Sequence, residues 1–385
     1  LGDLMDLWRI NDVVTWTPDI AITNYTSLIW TERFNTPGDF ELKTPDVTTM
    51  LELLPLNSMV TLQDSRIVMI VETHSIKTDE NGTSELTITG RSFDCILESR
   101  IVRGPYQAPY QTIQAWPPDA FLSLYLYNEL GNNTTTNFLA SGAGSKAYTD
   151  NYIAHLSFTT LVTPGGIPQL WWIEEGPMSK QFRDVLVERN LGLKVLRPIS
   201  EDLGGMLPTM NFRVFSGIDK TVNQNTYSPI VFSKNTGSFT TPAYLFSIKD
   251  FKNVAYIDCK LGSTQVYAQP SDASTTGLNR RILYVDGGDV VANSEETFNQ
   301  ILPALIQKAK QELKKYNRQY LFDVSMTNDG VYVFNKDYYI GDYVTLRPEF
   351  EAPFGITMQV TEFVRTEDLS GYKEYPTLTQ YIPGV

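Results

Sequence analysis

Alternation of apolar and polar residues, the period-two signature of strands, runs through most of the chain. It appears in SLIWTERF, MVTLQD, IVMIVETHSI, ELTITG, NFRVFSG, PIVFS, NVAYIDC, RILYVD and ITMQVTEFV, punctuated by Gly, Asn, Asp and Pro. Three stretches repeat instead at three- and four-residue steps and predict helices. One covers about 119–130, opened by Asp119 and closed by Gly131. A second covers about 178–191, with Met178, Phe182, Val185 and Leu186 on one face and Gly192 as its stop. The longest covers about 296–316, where Phe298, Ile301, Leu302, Leu305, Ile306, Ala309, Leu313 and Tyr316 make one stripe. Asn293 with Glu296 reads as its capping box, and Pro303 as a kink in its first turns or its true start. Such a stripe predicts a helix laid across a sheet. The fold class is α+β, predominantly β.

The pattern also repeats. NSMVTLQD (57–64) matches GDYVTLRP (341–348), and each leads into a strand in which Ile67, Met69 and Val71 correspond to Ile356, Met358 and Val360. IKTDENGTSELTIT (76–89) then lies beside VRTEDLSGYKEYPTLT (364–379), with a basic residue, a threonine, two acids, a glycine turn and another strand in the same order. Three strand–turn units in order point to one β-unit used twice. The chain divides into a β-rich region at 1–105, completed by strands within 211–260, an inserted mixed α/β module at 106–210, and a second β-rich region at 250–385 carrying the long helix.

Length and charge narrow the function. The 385 residues suit two to four modules. With 31 Lys and Arg against 44 Asp and Glu, the net charge of −13 argues against sequence-specific nucleic-acid binding. No run of the roughly 18 to 20 apolar residues that a membrane span needs is present. Cys95 and Cys259 lie far apart without Cys-x-x-Cys spacing and read as reduced structural thiols. His74 and His155 are too few for a multi-histidine metal site.

The carboxylate candidates weaken on inspection. Asp337 and Asp342 around GDYVTL resemble an acid pair, but the first copy of the repeat has Asn57 and Ser58 at Gly341 and Asp342, turn formers without charge. Asp286 and Asp289 in VDGGDV are too few oxygens for a calcium loop and read as a turn. Glu174 and Glu175 beside Trp171 and Trp172 form the best glycosidase-like cluster, although neighbouring glutamates on a strand point to opposite sides. No catalytic, cofactor-binding or metal-ligating residue, and no cofactor, is assigned.

WTERFNTPGDFEL, LLPLNSMVTLQD and LTITGRSFDCILESRIV resemble the N-terminal region of minor tail proteins of long-tailed phages, the tail-tip or baseplate hub family. FSGIDKT, IVFSKNTGSF, FKNVAYI, GLNRRILYVDGGDV and KDYYIGDYVTL continue the likeness along nearly the whole chain. Such hubs are similar to those of contractile phages and type VI secretion spikes. The resemblance implies two related β-barrel tube domains per subunit and a homotrimer that matches a six-fold tail tube. It implies no catalysis, a place in the virion at the tail tip after assembly in the host cytoplasm, a distal tail protein or tail tube on one side, and tip, receptor-binding or spike proteins on the other. Tape measure protein and transiently genomic DNA would occupy the lumen, whose wall the net charge predicts to be acidic. The alternatives are a tail-associated wall hydrolase using Glu174 or Glu175, and a glycan-binding module using Trp171 and Trp172.

Overall fold

The structure, a computed structural model, describes residues 5–10, 16–102, 156–159, 176–198, 210–233, 236, 239–262, 264–268, 275–287, 291–316, 318–326, 331–347 and 355–380. The helix expected at 119–130 lies outside them.

The first β-unit comprises β1 (Leu7–Ile10), β2 (Pro18–Ile22), β3 (Ser27–Arg33), β4 (Asp39–Thr44), the short helix α1 (Val47–Leu53), β5 (Met59–Leu62), β6 (Met69–Thr78) and β7 (Ser84–Ser92). Its strands lie in the order β3-β4-β7-β6-β5-β1-β2, all neighbours antiparallel. The period of two places Phe40, Leu42 and Thr44 of β4 inward and Asp39, Glu41 and Lys43 outward. Leu28, Trp30, Val60, Leu62, Leu86 and Ile88 join that core. Full burial of each such side chain contributes about 1.5–3 kcal/mol.

Next in the chain come β8 (Ile101–Val102), β9 (Leu156–Thr159), β10 (Gly176–Pro177), α2 (Met178–Arg189), β11 (Gly192–Leu196) and β12 (Met210–Phe215). The strands β9, β12 and β11 form a small sheet, and Met178, Phe182 and Leu186 of α2 pack with Leu193, Val195, Phe212 and Val214 in one apolar cluster. Asn190, in the left-handed conformation at φ 51°, ends α2, whereas Gly192 opens β11. Asn tolerates that conformation, so the stop falls two residues before the glycine.

The second β-unit begins with β13 (Val231–Ser233) and β14 (Phe239–Ser247). An insertion follows, made of β15 (Val254–Leu261), β16 (Thr264–Ala268), β17 (Ile282–Val285), β18 (Val291–Ala292) and α3 (Glu295–Lys314). The unit resumes with β19 (Gln319–Met326), β20 (Tyr343–Arg347), β21 (Ile356–Asp368) and β22 (Gly371–Gln380). Helix α3 lies across the inserted sheet as expected: Ile301, Leu305, Ala309 and Leu313 are buried with Ala255, Ile257, Cys259 and Val285. Its cap is Ser294, whose hydroxyl accepts from the Thr297 N–H, instead of Asn293 with Glu296, and Pro303 sits on the exposed face within a continuous helix.

Both β-units belong to one thirteen-stranded sheet, because β21 of the second pairs with β3 of the first. Strand outweighs helix by more than two to one, which settles the class as predominantly β. No closed barrel is found among the described residues; the sheet runs open from β14 to β2. Within 211–260, β13 and β14 pair with β20 and β19 of the second unit, β12 with β9 and β11, and β15 with the inserted strands. Among these described strands none pairs with a strand of the first unit, whose β3 edge is taken by β21.

Candidate assembly site: two copies and the seam between them

The repeat read from the sequence is a duplication of backbone geometry. Asn57 and Gly341 both have positive φ, 68° and 93°. The Asn57 N–H donates to the Val71 carbonyl at 2.8 Å and the Gly341 N–H to the Val360 carbonyl at 2.7 Å. Val71 and Val360 each return a bond of 2.9 Å, to the carbonyls of Ser58 and Asp342. The next strands share a bulge one residue later, between Val71 and Thr73 in one copy and between Val360 and Glu362 in the other. Beyond the three units visible in sequence, the order β3-β4-β7-β6-β5-β1 is matched by β14-β19-β22-β21-β20-β13, differing only in that β13 runs parallel to β20.

Asp337 and Asp342 are both bonded to backbone of the surrounding turns. Asp342 is buried; its Oδ1 accepts from the Ile218 N–H at 2.9 Å and its Oδ2 from the Tyr339 N–H at 3.0 Å. The buried Lys220 ammonium reaches Oδ2 at 2.8 Å. Three donors thus hold the buried carboxylate within the turn. The Asp337 carboxylate accepts from the Val333 N–H at 2.8 Å and closes a neighbouring turn. A Cβ at Gly341 would lie 2.6 Å from the Phe34 ring, and one at Gly217 would collide with the Gly341 carbonyl. This turn therefore locks the chain before β13 onto the second copy.

Where the copies meet, seven residues of β21, Glu362 to Asp368, face Arg33 to Ser27 of β3. Arg33 bridges the strands, with Nη1 2.7 Å from Asp39 and Nε 2.8 Å from Glu362. On the opposite face Arg365 is buried 3.2 Å from Asp64, over the stacked rings of Phe334 and Phe363. Glu367, also buried, accepts from the Met5 N–H and the Tyr25 hydroxyl, both at 2.8 Å. Burial first, and then Glu367, pushes the Tyr25 hydroxyl above its ordinary range, so it stays a donor. Charged groups thus reinforce an all-backbone junction.

Sequence reasoning passed over Arg365 and Glu367, because only the strand brought from the other copy gives their charges partners. It also passed over Asp94, which burial raises to about 7 while the Ser92 hydroxyl, its hydrogen-bond donor, pulls it down. Cys95 is buried, its thiol pushed up to about 12 by burial and then by Glu72. Cys259 is buried and free, and His74 Nε2 lies 2.8 Å from the Leu54 carbonyl. Asp286 directly follows β17, next to Gly287, whose N–H donates to the buried Asp258 carboxylate at 2.6 Å. Asp289, His155, Trp171, Trp172, Glu174 and Glu175 lie outside the described residues. Among the described residues no three His, Cys, Asp or Glu side chains are grouped as metal ligands, and no helix is long and apolar enough to cross a membrane.

The fold, an extended sheet of two like units with a helix-bearing insertion, is similar to that of phage tail proteins. It is similar to the tail protein of Neisseria meningitidis MC58, at 12% identity, 97% of this chain, 96% of that chain and a TM-score of 0.52. It is also similar to the 43 kDa tail protein of prophage MuSo2 from Shewanella oneidensis, at 13% identity, 98% of both chains and a TM-score of 0.54. At those identities the likeness is one of fold. The chain belongs to the family of Siphovirus ReqiPepy6 Gp37-like proteins, whose sequence model matches residues 8–366. No curated protein matches it. The resemblance to tail proteins of long-tailed phages read from the sequence stands.

Proposed function

We propose that the chain is the hub of a phage tail tip, a structural virion protein that acts as a trimeric ring on the tail axis. The observation that carries this reading is the edge-to-edge junction of two equivalent copies, β21 on β3. A junction that joins different edges of like units is heterologous, and repeated it generates a ring when the rotation closes. Three chains supply six copies, which suits a six-fold tail tube, and the barrel expected within one chain is instead closed across chains. The ring continues or closes the tube, with the tube or distal tail protein on one side and tip, spike or receptor-binding proteins on the other. Tape measure protein and then genomic DNA pass through it.

The outward face of the sheet suits passage. Three of its cations are engaged by carboxylates: Arg33 by Asp39 and Glu362, Lys43 by Glu41, and Arg91 by Glu72 and Glu98. A neutralised guanidinium is a poor grip for phosphate, and each chain adds a net −13. The described residues perform no catalysis in this account; wall digestion and receptor binding belong to partners. Light scattering of the purified protein tests the assembly, with a mass three times 43.5 kDa expected. A monomer at every concentration would overturn it.

A further inference from the structure

The internal seam has a counterpart that one chain leaves open. Past its bulge, β21 offers residues 362–368 to β3. By the shared bulge, the matching residues of the first copy are 73–79, so Ile76 matches Arg365, one residue off the register in which 76–89 lay beside 364–379 in the sequence. There β6 pairs with β7 on one side, but β5 reaches only Met69 and Ile70 on the other, so among the described residues the outer edge from Thr73 to Thr78 has no strand on it. The side chains agree: Arg365 and Glu367 are buried, whereas Ile76 and Thr78 at the matching positions are exposed, Ile76 by 50%.

The complementary edge is equally open. The strand equivalent to β3 is β14, which pairs with β19 alone among the described residues and ends the sheet. Its register follows from the cross-strand partners. Asp39 faces Thr31 and Arg91, as Leu321 faces Leu245 and Thr379, and Arg91 and Thr379 each follow the residue opposite the repeated valine. Thr31 therefore corresponds to Leu245, and Val364, its partner across the seam, corresponds to Ser75.

We infer that these two open edges are one interface: β14 of one chain adds antiparallel to residues 73–79 of the next copy, with Leu245 opposite Ser75 of the neighbour. The occupant is a second copy of this chain because the edges that meet are those already joined within it, and unpaired edges of this length otherwise invite uncontrolled pairing. The inference rests on the ring reading and adds which strands close it.

Disulfide trapping tests it. Residues opposite one another in antiparallel strands have Cα atoms about 4.5–5.5 Å apart, within disulfide range. Ser75→Cys combined with Leu245→Cys is expected to give a covalent trimer on denaturing gels after oxidation. The single variants and the off-register pair Ser75→Cys with Thr241→Cys are expected to run as monomers. In the unmodified trimer, the amides of 73–78 that point away from β7 should exchange slowly. Trimers that exchange rapidly there and cross-link no better in register than out of it would overturn the seam and leave the ring standing. A protein that is monomeric before substitution would overturn both.

Discussion

At the residue scale, the turn at Gly341 shows how one position can look chemical and be architectural. Asp342 and Lys220 form a buried pair in which each satisfies the other, and removing one partner leaves an uncompensated charge. Asp342→Ser, which installs the residue of the first copy, should destabilise the protein by roughly 3–5 kcal/mol. Adding Lys220→Met should recover much of that loss, as chemical denaturation of both variants would measure; no recovery would mean that the pair is not the cause. Asp94 gives a pH signature. Burial raises it from 3.8 to about 7, so between those values the folded protein binds more protons than the unfolded chain, and stability falls as pH rises. Asp94→Asn should flatten that decline, by roughly 1–3 kcal/mol between pH 4 and 7. An unchanged slope in thermal melts across that range would refute the assignment.

At the element scale, what could be read from sequence was what depends on near neighbours. Helix α3 declared itself through Ile301, Leu305, Ala309 and Leu313, and differs from the expected span by one residue at its start and two at its end. Its cap was misplaced by one position because Asn293 and Ser294 are both good capping residues, and only the extended φ of Ser294 decides between them. Ser294→Ala should cost about 1 kcal/mol, read from the midpoint of denaturation, while Asn293→Ala should cost little. The repeat was legible over β5-β6-β7 and β20-β21-β22, where consecutive strands pair with each other. It was illegible over β3-β4 and β14-β19, since four strands and α3 intervene between β14 and β19. The seam was beyond reach, because no local period reports that residues 27–33 meet 362–368. The closed barrels expected from the sequence are not found among the described residues, for the same reason: closure is a property of distant edges, and β3 pairs its outer edge with the other copy.

At the scale of the whole molecule, the proposed ring makes the duplicated open sheet its unit of assembly. Two copies joined through unlike edges leave one edge of each kind without a strand among the described residues, that of β14 and that of the distal half of β6, which is what head-to-tail growth requires. Net charge and the paired cations of the outward face add a functional expectation. Double-stranded DNA should bind the assembled protein weakly at physiological salt and lose that binding steeply as salt rises. Tight, salt-resistant retention in a filter-binding assay would contradict a lumen built for passage. The central claim, however, is geometric, and electron cryomicroscopy of intact virions measures it directly. The account predicts a closed ring on the tail axis with three chains and six repeats of the β-unit, successive units joined strand to strand. Density for a single chain fixed to the side of the tail, or for a ring whose subunits meet through other surfaces, would contradict it.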